Sequence, residues 1–318
     1  MKILTPDFWK NKKIIFIPIY IVLAPFVILV QIFDFIKSIV VNPHEEKDLK
    51  VICAGNIYIG GTGKTPLSIE IINIFKTIGL KSVIVKKKYE DQQDEVDLIK
   101  SKNIDIIIEK NRVLGIKQAS EKKYSVAVLD DGFQDYSIKK DCIIMCFGSQ
   151  WLGNGLTIPA GPLRQGFNQI KKSNIVVLNS LNSEISQKCE EKIKEENKDI
   201  KIFHSYYTPD KKSLEQLKDQ KIFAFAGIGN PENFFKLLTS SGLKVYEKNS
   251  FPDHYMYNKE DLDKMISIAK KKEYKIITTE KDYFRCKKFE MKEINYLPVN
   301  LVIKEKNKFV KELEKFVL

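Results

Sequence analysis

The first pattern along the chain is an apolar run without charged residues, IIFIPIYIVLAPFVILVQIF, which covers residues 14–33. Its 20 residues are enough to cross a bilayer if they form a helix. Pro18 and Pro25 interrupt the run, and Trp9 stands beside lysines, as the anchors of interfacial helices do. A cleaved leader is disfavoured because no small-residue cleavage site follows the run. We therefore predict an N-terminal membrane-associated helix in residues 1–37 that lies in the cytoplasmic leaflet, with a full span as the alternative.

The middle of the chain alternates short apolar segments with polar or helical ones. The segments rich in β-branched residues are KSVIVKK, IDIIIEK, YSVAVLDD, DCIIMCFG and NIVVLNS. Runs of this kind are typical of a parallel sheet that helices cover on both faces. A second α/β series follows a lysine- and glutamate-rich helical segment and continues to the end of the chain. We predict an α/β domain over residues 38–205 and a smaller C-terminal α/β domain over residues 206–318.

The stretch GNIYIGGTGKTPLSIEII, residues 55–72, connects the apolar segment LKVICAG to a helix through a glycine-rich loop. The phosphate-binding pattern G-x-x-x-x-G-K-[ST] requires glycine at position 58, where the chain has Tyr58. The loop still has glycines that let backbone N–H groups turn inward, and a lysine for the outer phosphates. The order of strand, loop and helix favours a P-loop over a simple glycine-rich turn. The predicted nucleotide-binding residues are Tyr58, Ile59, Gly60, Gly61, Thr62, Gly63, Lys64 and Thr65.

A pair of carboxylates, Asp130 and Asp131, ends the apolar strand VAVL. A carboxylate at the tip of a strand next to a phosphate-binding loop is where many nucleotide-binding proteins hold Mg²⁺. Thr65 would add a hydroxyl at the start of the helix that follows the loop. We therefore predict a magnesium site formed by Thr65, Asp130 and Asp131, against the alternative of a plain Asp-Asp-Gly turn.

The composition is basic, with a formal net charge of +12, yet only three of the 53 basic residues are arginines. So strong a lysine bias without a nucleic-acid-binding motif indicates no nucleic-acid partner, whereas lysines suit an anionic membrane surface. In such a chain an arginine is informative, because lysine cannot replace bidentate phosphate recognition. The five cysteines are scattered without C-x-x-C spacing, which indicates reduced thiols in a cytosolic setting.

Six motifs occur in order along the chain: GNIYIGGTGKTP, DDGFQD, GNGLTIPAGPLRQG, AFAGIGNPENFF, FPDHY and TTEKD. Together they resemble the motifs of the tetraacyldisaccharide 4'-kinases, the lipid A kinases of Gram-negative bacteria. In that family too the phosphate-binding loop departs from the strict spacing at the position of Tyr58. The resemblance implies transfer of the γ-phosphate of ATP, with Mg²⁺, to the 4'-hydroxyl of a tetraacylated glucosamine disaccharide 1-phosphate in the membrane. We accordingly expect a P-loop NTPase-like domain with a smaller α/β domain, in a monomer at the cytoplasmic face of the inner membrane.

The resemblance also assigns roles to residues outside the glycine loop. The family's proposed base, an aspartate assisted by a histidine, corresponds to Asp94 in QDEV and His254 in FPDH. With Lys64 these two residues form the predicted catalytic set. The positions expected to contact substrate or phosphate are those of Tyr89, Arg112 and Arg164.

The chain departs from the family at three places. The R-G-Y-G segment of the family is replaced by KKKYED, DDGFQH by DDGFQD with Asp135, and PLRE by PLRQ with Gln165. Gln165 removes an acidic residue that the family has near Mg²⁺. This change and the altered segment around Tyr89 leave open a degenerate kinase that binds lipid without catalysis. The other alternative is a membrane-bound P-loop ATPase that switches a protein partner, although Ile59 stands where such switches have a signature lysine.

Overall fold

The computed structural model describes residues 6–89, 92–179 and 183–318, apart from the side chain of residue 183. The N-terminal segment forms a short helix α1 (Asp7–Lys10), a 3-10 turn (Ile14–Phe16) and a long helix α2 (Ile17–Val40). Pro18 lies in the first turn of α2, where its missing N–H is not needed, and the helix continues through Pro25. The two prolines therefore do not divide the apolar run, contrary to the effect expected from the sequence.

Helix α2 leaves its apolar surface uncovered. Among the described residues, one helical stretch, Ile14–Val40, is long and apolar enough to cross a membrane by length and composition. None of its most apolar window is buried in the protein, and the Phe33 side chain is 71% exposed. The 24 residues of α2 extend over about 36 Å at the usual helical rise. An apolar helix that the protein leaves uncovered is consistent with a membrane anchor.

The segment before α2 is attached to the rest of the protein. The Trp9 side chain is 7% exposed, and its Nε1 donates a hydrogen bond to the carbonyl of Pro159 at 3.0 Å. The Asn154 amide donates to the carbonyl of Phe8 at 2.8 Å. The interpretation of Trp9 as an interfacial anchor is therefore corrected, because its indole is buried against the loop that contains GNGLTIPAG.

Two sheets form the rest of the molecule. The strands are β1 (Lys50–Gly55), β2 (Ser82–Lys87), β3 (Ile106–Glu109), β4 (Val126–Asp130), β5 (Cys142–Phe147), β6 (Ile175–Asn179), β7 (Lys201–Pro209), β8 (Lys221–Ala226), β9 (Lys244–Ser250), β10 (Lys275–Thr278), β11 (Ile294–Tyr296) and β12 (Val299–Ile303). The helices are α3 (Lys64–Thr77), α4 (Gln93–Ser101), α5 (Arg112–Glu121), α6 (Ser183–Glu196), α7 (Lys211–Leu217), α8 (Pro231–Ser240), α9 (Lys259–Lys272), α10 (Glu280–Cys286) and α11 (Lys306–Val317). The larger sheet has the strand order β12-β7-β6-β5-β1-β4-β2-β3, and the smaller has the order β11-β10-β8-β9.

The larger sheet is parallel except at one edge, where β12 runs antiparallel to β7. Its strands β4 and β6 are buried along their whole length because helices cover both faces. One face packs on α5 and α6 through side chains such as Ile116 and Ile193, and the other packs on α3 and α11 through Ile71 and Phe309. This is the parallel α/β arrangement that the alternating pattern predicts.

The smaller sheet is parallel throughout and also lies between helices. Phe235 of α8 packs on one of its faces, and Leu262 of α9 packs on the other. Strand β9 ends at Ser250, just before FPDH, and β10 ends within TTEKD. Both motifs therefore lie at the carboxyl ends of parallel strands, on one edge of this sheet.

The sheets divide the chain differently from the predicted boundary between residues 205 and 206. Strand β7 continues to Pro209 within the larger sheet, and the chain later returns so that β12 pairs with β7. Helix α11 then packs on the larger sheet through Phe309. The return covers the backbone groups that β7 would otherwise expose as an edge strand. We define the larger lobe as residues 41–209 with 299–318, and the smaller lobe as residues 210–298.

Candidate active site

A cleft with a volume of about 2140 Å³ lies between the two lobes. Residues that follow the carboxyl ends of β1, β4 and β5 line it from the larger lobe, and residues that follow β8, β9 and β10 line it from the smaller lobe. This is the edge at which open parallel sheets bind their ligands. The predicted site residues that line the cleft are Tyr58, Ile59, Gly60, Gly61, Thr62, Gly63, Lys64, Thr65, Asp94, Asp130, Asp131, Arg164 and His254. The fold thus brings the predicted nucleotide and catalytic residues together.

The glycine loop has a backbone conformation that requires glycine. Gly60 and Gly63 have φ angles of +102° and +99°, in the left-handed region that favours glycine. A Cβ at Gly63 would lie 2.5 Å from Nδ2 of Asn179, so a larger residue would also clash there. Tyr58 is 8% exposed and packs in the core of the larger lobe, and its backbone pairs with Leu163. The departure from the strict loop pattern is therefore accommodated by burial of the tyrosine ring.

Lys64 begins α3 and faces the carboxylate of Asp131. Its Nζ lies 3.7 Å from Oδ1 of Asp131, and Arg164 donates to both oxygens of the same carboxylate at 3.0 Å. Burial alone would raise the pKa of Asp131, but the charges of Lys64 and Arg164 hold that pKa below its usual value. Burial lowers the pKa of Lys64, and Asp131 opposes this shift only in part. An anionic phosphate beside Lys64 would compensate the charge of its ammonium group more fully.

Asp130 ends β4, and none of its surface is exposed. Its carboxylate accepts hydrogen bonds from the Thr65 hydroxyl at 3.1 Å, the Ser68 hydroxyl at 3.3 Å and the Lys86 ammonium at 2.8 Å. Burial would lower the pKa of Lys86, but Asp130 and a second carboxylate outweigh it and raise that pKa. Asp130 therefore holds the Thr65 hydroxyl, while the Asp131 side chain, 27% exposed, has the better access to the cleft.

Asp94 lies in the first turn of α4, and its charge is paired across the cleft. Its Oδ2 accepts a hydrogen bond from Nε of Arg285 at 2.9 Å and lies 2.6 Å from Nη2 of the same residue. Nη2 of Arg285 also lies 3.5 Å from Nδ1 of His254. His254 has a φ angle of +54°, and its side chain is 37% exposed. Asp94 and His254, which the resemblance pairs, thus lie against one guanidinium.

A second set of ion pairs joins the lobes beside Asp94. Glu95 pairs with Lys86 of the larger lobe and with Lys281 of the smaller lobe, each at 2.5 Å. Burial would raise the pKa of Glu95, but the two lysines hold it well below its usual range. Because Lys86 also binds Asp130, this set connects the smaller lobe to the carboxylates at the end of β4.

Two of the predicted contact residues do not line the cleft between the lobes. Arg112 is 5% exposed, and its guanidinium binds the carboxylate of Asp135 and the backbone carbonyls of Asp130 and Asp131. It supports the Asp-Asp-Gly turn from behind, and this position gives no support to a phosphate contact. Tyr89 is 44% exposed and lines a separate, smaller cleft rich in lysine.

Gln165 connects the loop that carries Arg164 to helix α2. Its Nε2 donates to Oδ2 of Asp34 at 2.8 Å and to the hydroxyl of Tyr136 at 2.7 Å. The Tyr136 hydroxyl donates to the same carboxylate, and burial together with Asp34 raises the pKa of Tyr136 to about 12. A glutamate at position 165 would face the Asp34 carboxylate, so the local charges explain this departure from the family.

Three residues of the site were not predicted from the sequence, namely Arg285, Lys86 and Glu95. For Arg285 a signal was available, because arginine is rare in this chain and Arg285 follows TTEKD within the same short helix. Lys86 and Glu95 have no comparable signal, since lysine and glutamate are common along the whole chain.

This chain is similar to known proteins over nearly its whole length. The family profile described as tetraacyldisaccharide-1-P 4'-kinase matches residues 19–103 and 89–318. The tetraacyldisaccharide 4'-kinase of Pelagibacter ubique (strain HTCC1062) is 40% identical over 322 residues, which cover 99% of this chain and 100% of the relative. That of Rickettsia bellii (strain OSU 85-389) is 32% identical over 309 residues, which cover 90% of each chain.

A solved structure supports the fold independently. The crystal structure of LpxK from Aquifex aeolicus in complex with ATP matches with a TM-score of 0.72 and 21% identity, covering 94% of this chain and 100% of that one. This likeness shows that the two chains share a fold, and the sequence matches extend over nearly the whole chain. The chain therefore belongs to the tetraacyldisaccharide 4'-kinase family.

Proposed function

We propose that this chain transfers the γ-phosphate of ATP to the 4'-hydroxyl of a tetraacylated glucosamine disaccharide 1-phosphate. The observation that carries the assignment of the site is the position of Lys64 and Asp94, which come from different helices and line one cleft. A cation for the transferred phosphate and a carboxylate for the attacking hydroxyl are the two groups that phosphoryl transfer to an alcohol requires.

At the nucleotide end, Lys64 would neutralise phosphate charge while the backbone N–H groups of the glycine loop surround the phosphates. The carboxylate oxygens at the end of β4 suit Mg²⁺. This ion needs few protein ligands, because water and phosphate oxygens complete its coordination. Thr65 and Asp131 would hold the ion, and Asp130, which binds the Thr65 hydroxyl, would keep that ligand in place. When bound, Mg²⁺ neutralises charge on the phosphate oxygens.

At the acceptor end, Asp94 would orient or deprotonate the 4'-hydroxyl, with His254 assisting. Oδ1 of Asp94 is buried and has no hydrogen-bond partner among the described residues, whereas Oδ2 is bound by Arg285. Oδ1 is therefore the oxygen left to accept a hydrogen bond from the substrate. Since a sugar hydroxyl is a poor nucleophile at neutral pH, a carboxylate in this position would accelerate the transfer.

The N-terminal segment would bring the cleft to the lipid. Trp9 and Lys10 line the same cleft as the glycine loop, and the exposed helix α2 begins a few residues later. Apolar side chains on α2 suit acyl chains, and the net charge of +12 suits an anionic leaflet. We therefore place the enzyme, as a monomer, at the cytoplasmic face of the inner membrane.

The alternatives are less well supported. Membership of the kinase family favours the kinase over a P-loop ATPase that switches a protein partner. The degenerate kinase rested on Gln165 and on the altered segment around Tyr89. The contact of Gln165 with Asp34 gives that glutamine a structural reason that does not require loss of catalysis.

The experiment that tests the proposal is transfer of radiolabelled phosphate from γ-labelled ATP to the tetraacylated disaccharide 1-phosphate in detergent micelles. Wild type should label the lipid, and Asp94→Asn should lower kcat by about 100-fold or more with little change in the KM for ATP. ATP hydrolysis by the wild type without labelled lipid would refute the kinase, whereas labelled lipid that survives Asp94→Asn would place the base elsewhere.

A further inference from the structure

Arg285 has contacts that its sequence context does not explain. It lies on α10 of the smaller lobe, and its side chain is 6% exposed. Nη1 donates to the carbonyl of Gly227 at 2.6 Å and to Oδ1 of Asp282 at 2.9 Å. Nε donates to Oδ2 of Asp94. Nη2 lies 2.6 Å from the same oxygen and 3.5 Å from Nδ1 of His254. All three nitrogens of the guanidinium are thus engaged.

The smaller lobe fixes the guanidinium through Asp282, which has no exposed surface. The Asp282 carboxylate accepts hydrogen bonds from the backbone N–H of Gly227 at 2.9 Å, the Tyr257 hydroxyl at 3.0 Å and the Thr279 hydroxyl at 2.7 Å. A carboxylate held by three neutral donors cannot turn with Arg285, so it sets the plane of the guanidinium. Arg285 therefore presents a fixed edge towards α4.

Asp94 of the larger lobe lies against that edge of the guanidinium. Nε and Nη2 of Arg285 both bind Oδ2 of Asp94. Oδ1 of Asp94 is buried and unpaired among the described residues. Two donors that converge on one oxygen hold that oxygen beside the guanidinium and leave Oδ1 on the side away from it, which the single ammonium of lysine does less well. The orientation of Asp94 is therefore set by a residue of the opposite lobe.

We propose that Arg285 is a positioning residue for phosphoryl transfer, which orients Asp94 and His254 from the smaller lobe so that Oδ1 of Asp94 receives the acceptor hydroxyl. The inference rests on the proposed function, because it assigns Arg285 to the acceptor end of that reaction. Arg285 itself acts only through Asp94 and His254.

The test compares steady-state phosphate transfer to the lipid by Arg285→Gln, Arg285→Lys and Asp282→Asn in detergent micelles. Arg285→Gln should lower kcat by about 10- to 100-fold while the KM for ATP stays within about twofold, because the nucleotide end is untouched. Arg285→Lys, which keeps a cation near Asp94, should recover part of this loss. If Arg285→Gln does not fold, Asp282→Asn takes its place, since it frees the retained guanidinium and should also lower kcat several-fold. Wild-type kcat in the folded variants would overturn the proposal.

A double-mutant cycle and a matched control separate positioning from simple docking of the lobes. In an Asp94→Asn background, Arg285→Gln should cause almost no further loss of kcat, whereas independent effects would multiply and overturn the proposal. The control is Lys102→Met, which breaks another pair between the lobes, that of Lys102 with Glu280 at 2.5 Å, without touching Asp94. Its kcat should stay within about twofold of the wild type, and a loss equal to that of Arg285→Gln would assign the effect to docking. Failure of the wild type to label lipid would refute the proposed function instead.

Discussion

Each of the three arginines of this lysine-rich chain binds an aspartate. Arg112 pairs with Asp135 at 3.3 Å and Arg164 with Asp131 at 3.0 Å, while Arg285 lies 2.6 Å from Asp94. Arg112 and Arg285 each donate through two or more guanidinium nitrogens, as lysine cannot, whereas Arg164 makes its contacts through Nη1. Rarity is thus a signal at the residue scale, and it points to the Asp-Asp-Gly turn and to both ends of the reaction.

Substitution of Lys64 tests its role in phosphate transfer. Lys64→Met should lower kcat for phosphate transfer by about 100-fold or more, because it removes the charge that faces the transferred phosphate. The measurement is labelled-lipid formation at saturating ATP. Lys76→Met, at the far end of the same helix, is the control and should behave as the wild type. Equal rates for Lys64→Met and the control would contradict the assigned role.

A second prediction concerns the contact between Gln165 and Asp34. Gln165→Glu places a carboxylate opposite Asp34, which now accepts a hydrogen bond at 2.8 Å, so the free energy of unfolding should fall by about 1–2 kcal/mol at neutral pH. Combining it with Asp34→Asn should restore most of the loss, because the opposed charge is gone. Thermal unfolding in detergent would compare the stability of the wild type, the two single variants and the double variant. Additive effects of the two substitutions would show that the two side chains are not coupled.

At the scale of elements, helix α2 differs from every other helix in having an apolar surface that the described protein leaves uncovered. It is nevertheless tied to the larger lobe at single points. Gln31 donates to the Thr157 hydroxyl at 3.1 Å, and Asp34 binds Tyr136 and Gln165. Gln31 and Asp34 thus face the protein, and the apolar residues of the helix remain available to lipid.

Substitution on the exposed face of α2 tests this arrangement. Leu29→Ser with Phe33→Ser, at positions 62% and 71% exposed, should weaken binding to anionic vesicles at least tenfold, since each buried side chain contributes about 1.5–3 kcal/mol. The KM for ATP should not change. Leu114→Ser, an exposed leucine on α5, is the matched control in the vesicle sedimentation assay. Unchanged sedimentation of the double variant would argue against α2 as the membrane contact.

In the molecule as a whole, three ion pairs bridge the cleft. Asp94, Glu95 and Lys102 of the larger lobe pair with three residues of helix α10, namely Arg285, Lys281 and Glu280. The pair of Arg285 with Asp94, whose side chains are 6% and 3% exposed, is costly to break on one side only, because the remaining charge stays buried. The relative position of the lobes therefore depends on the pair of Asp94 with Arg285.

The sign of the pH dependence follows from Glu95 and Asp131, whose pKa values are held below the ordinary values of 4.5 and 3.8. Stability from such groups is complete above the ordinary pKa and is lost as the pH falls towards the lowered one. Urea unfolding in detergent should therefore show falling stability below about pH 4.5. Glu95→Gln should be less stable than the wild type at neutral pH and should converge with it in acid. Parallel curves for the two proteins would contradict this account.

Features that depend on neighbouring residues were already evident in the amino-acid sequence. The five middle segments became β2 to β6, and the glycine loop became the turn between β1 and α3, because strand burial and loop conformation follow from local pattern and from glycine. The carboxylate pair at the end of β4 was predictable for the same reason. The family motifs, which are short and contiguous, then indicated the substrate and the residues at both ends of the reaction.

Contacts between distant residues depend on how the chain packs in three dimensions. Arg285 binds Asp94 across 191 positions of sequence, and β12 joins the larger sheet only after the chain has completed the smaller lobe. No local pattern encodes such contacts, since they arise when two separately formed surfaces bury their charges against each other. The same holds for Arg112, which matched a family motif. Its guanidinium lies behind the Asp-Asp-Gly turn, where it donates to the carbonyls of Asp130 and Asp131. Local sequence thus specified the chemical groups, and packing of the lobes determined how they are paired.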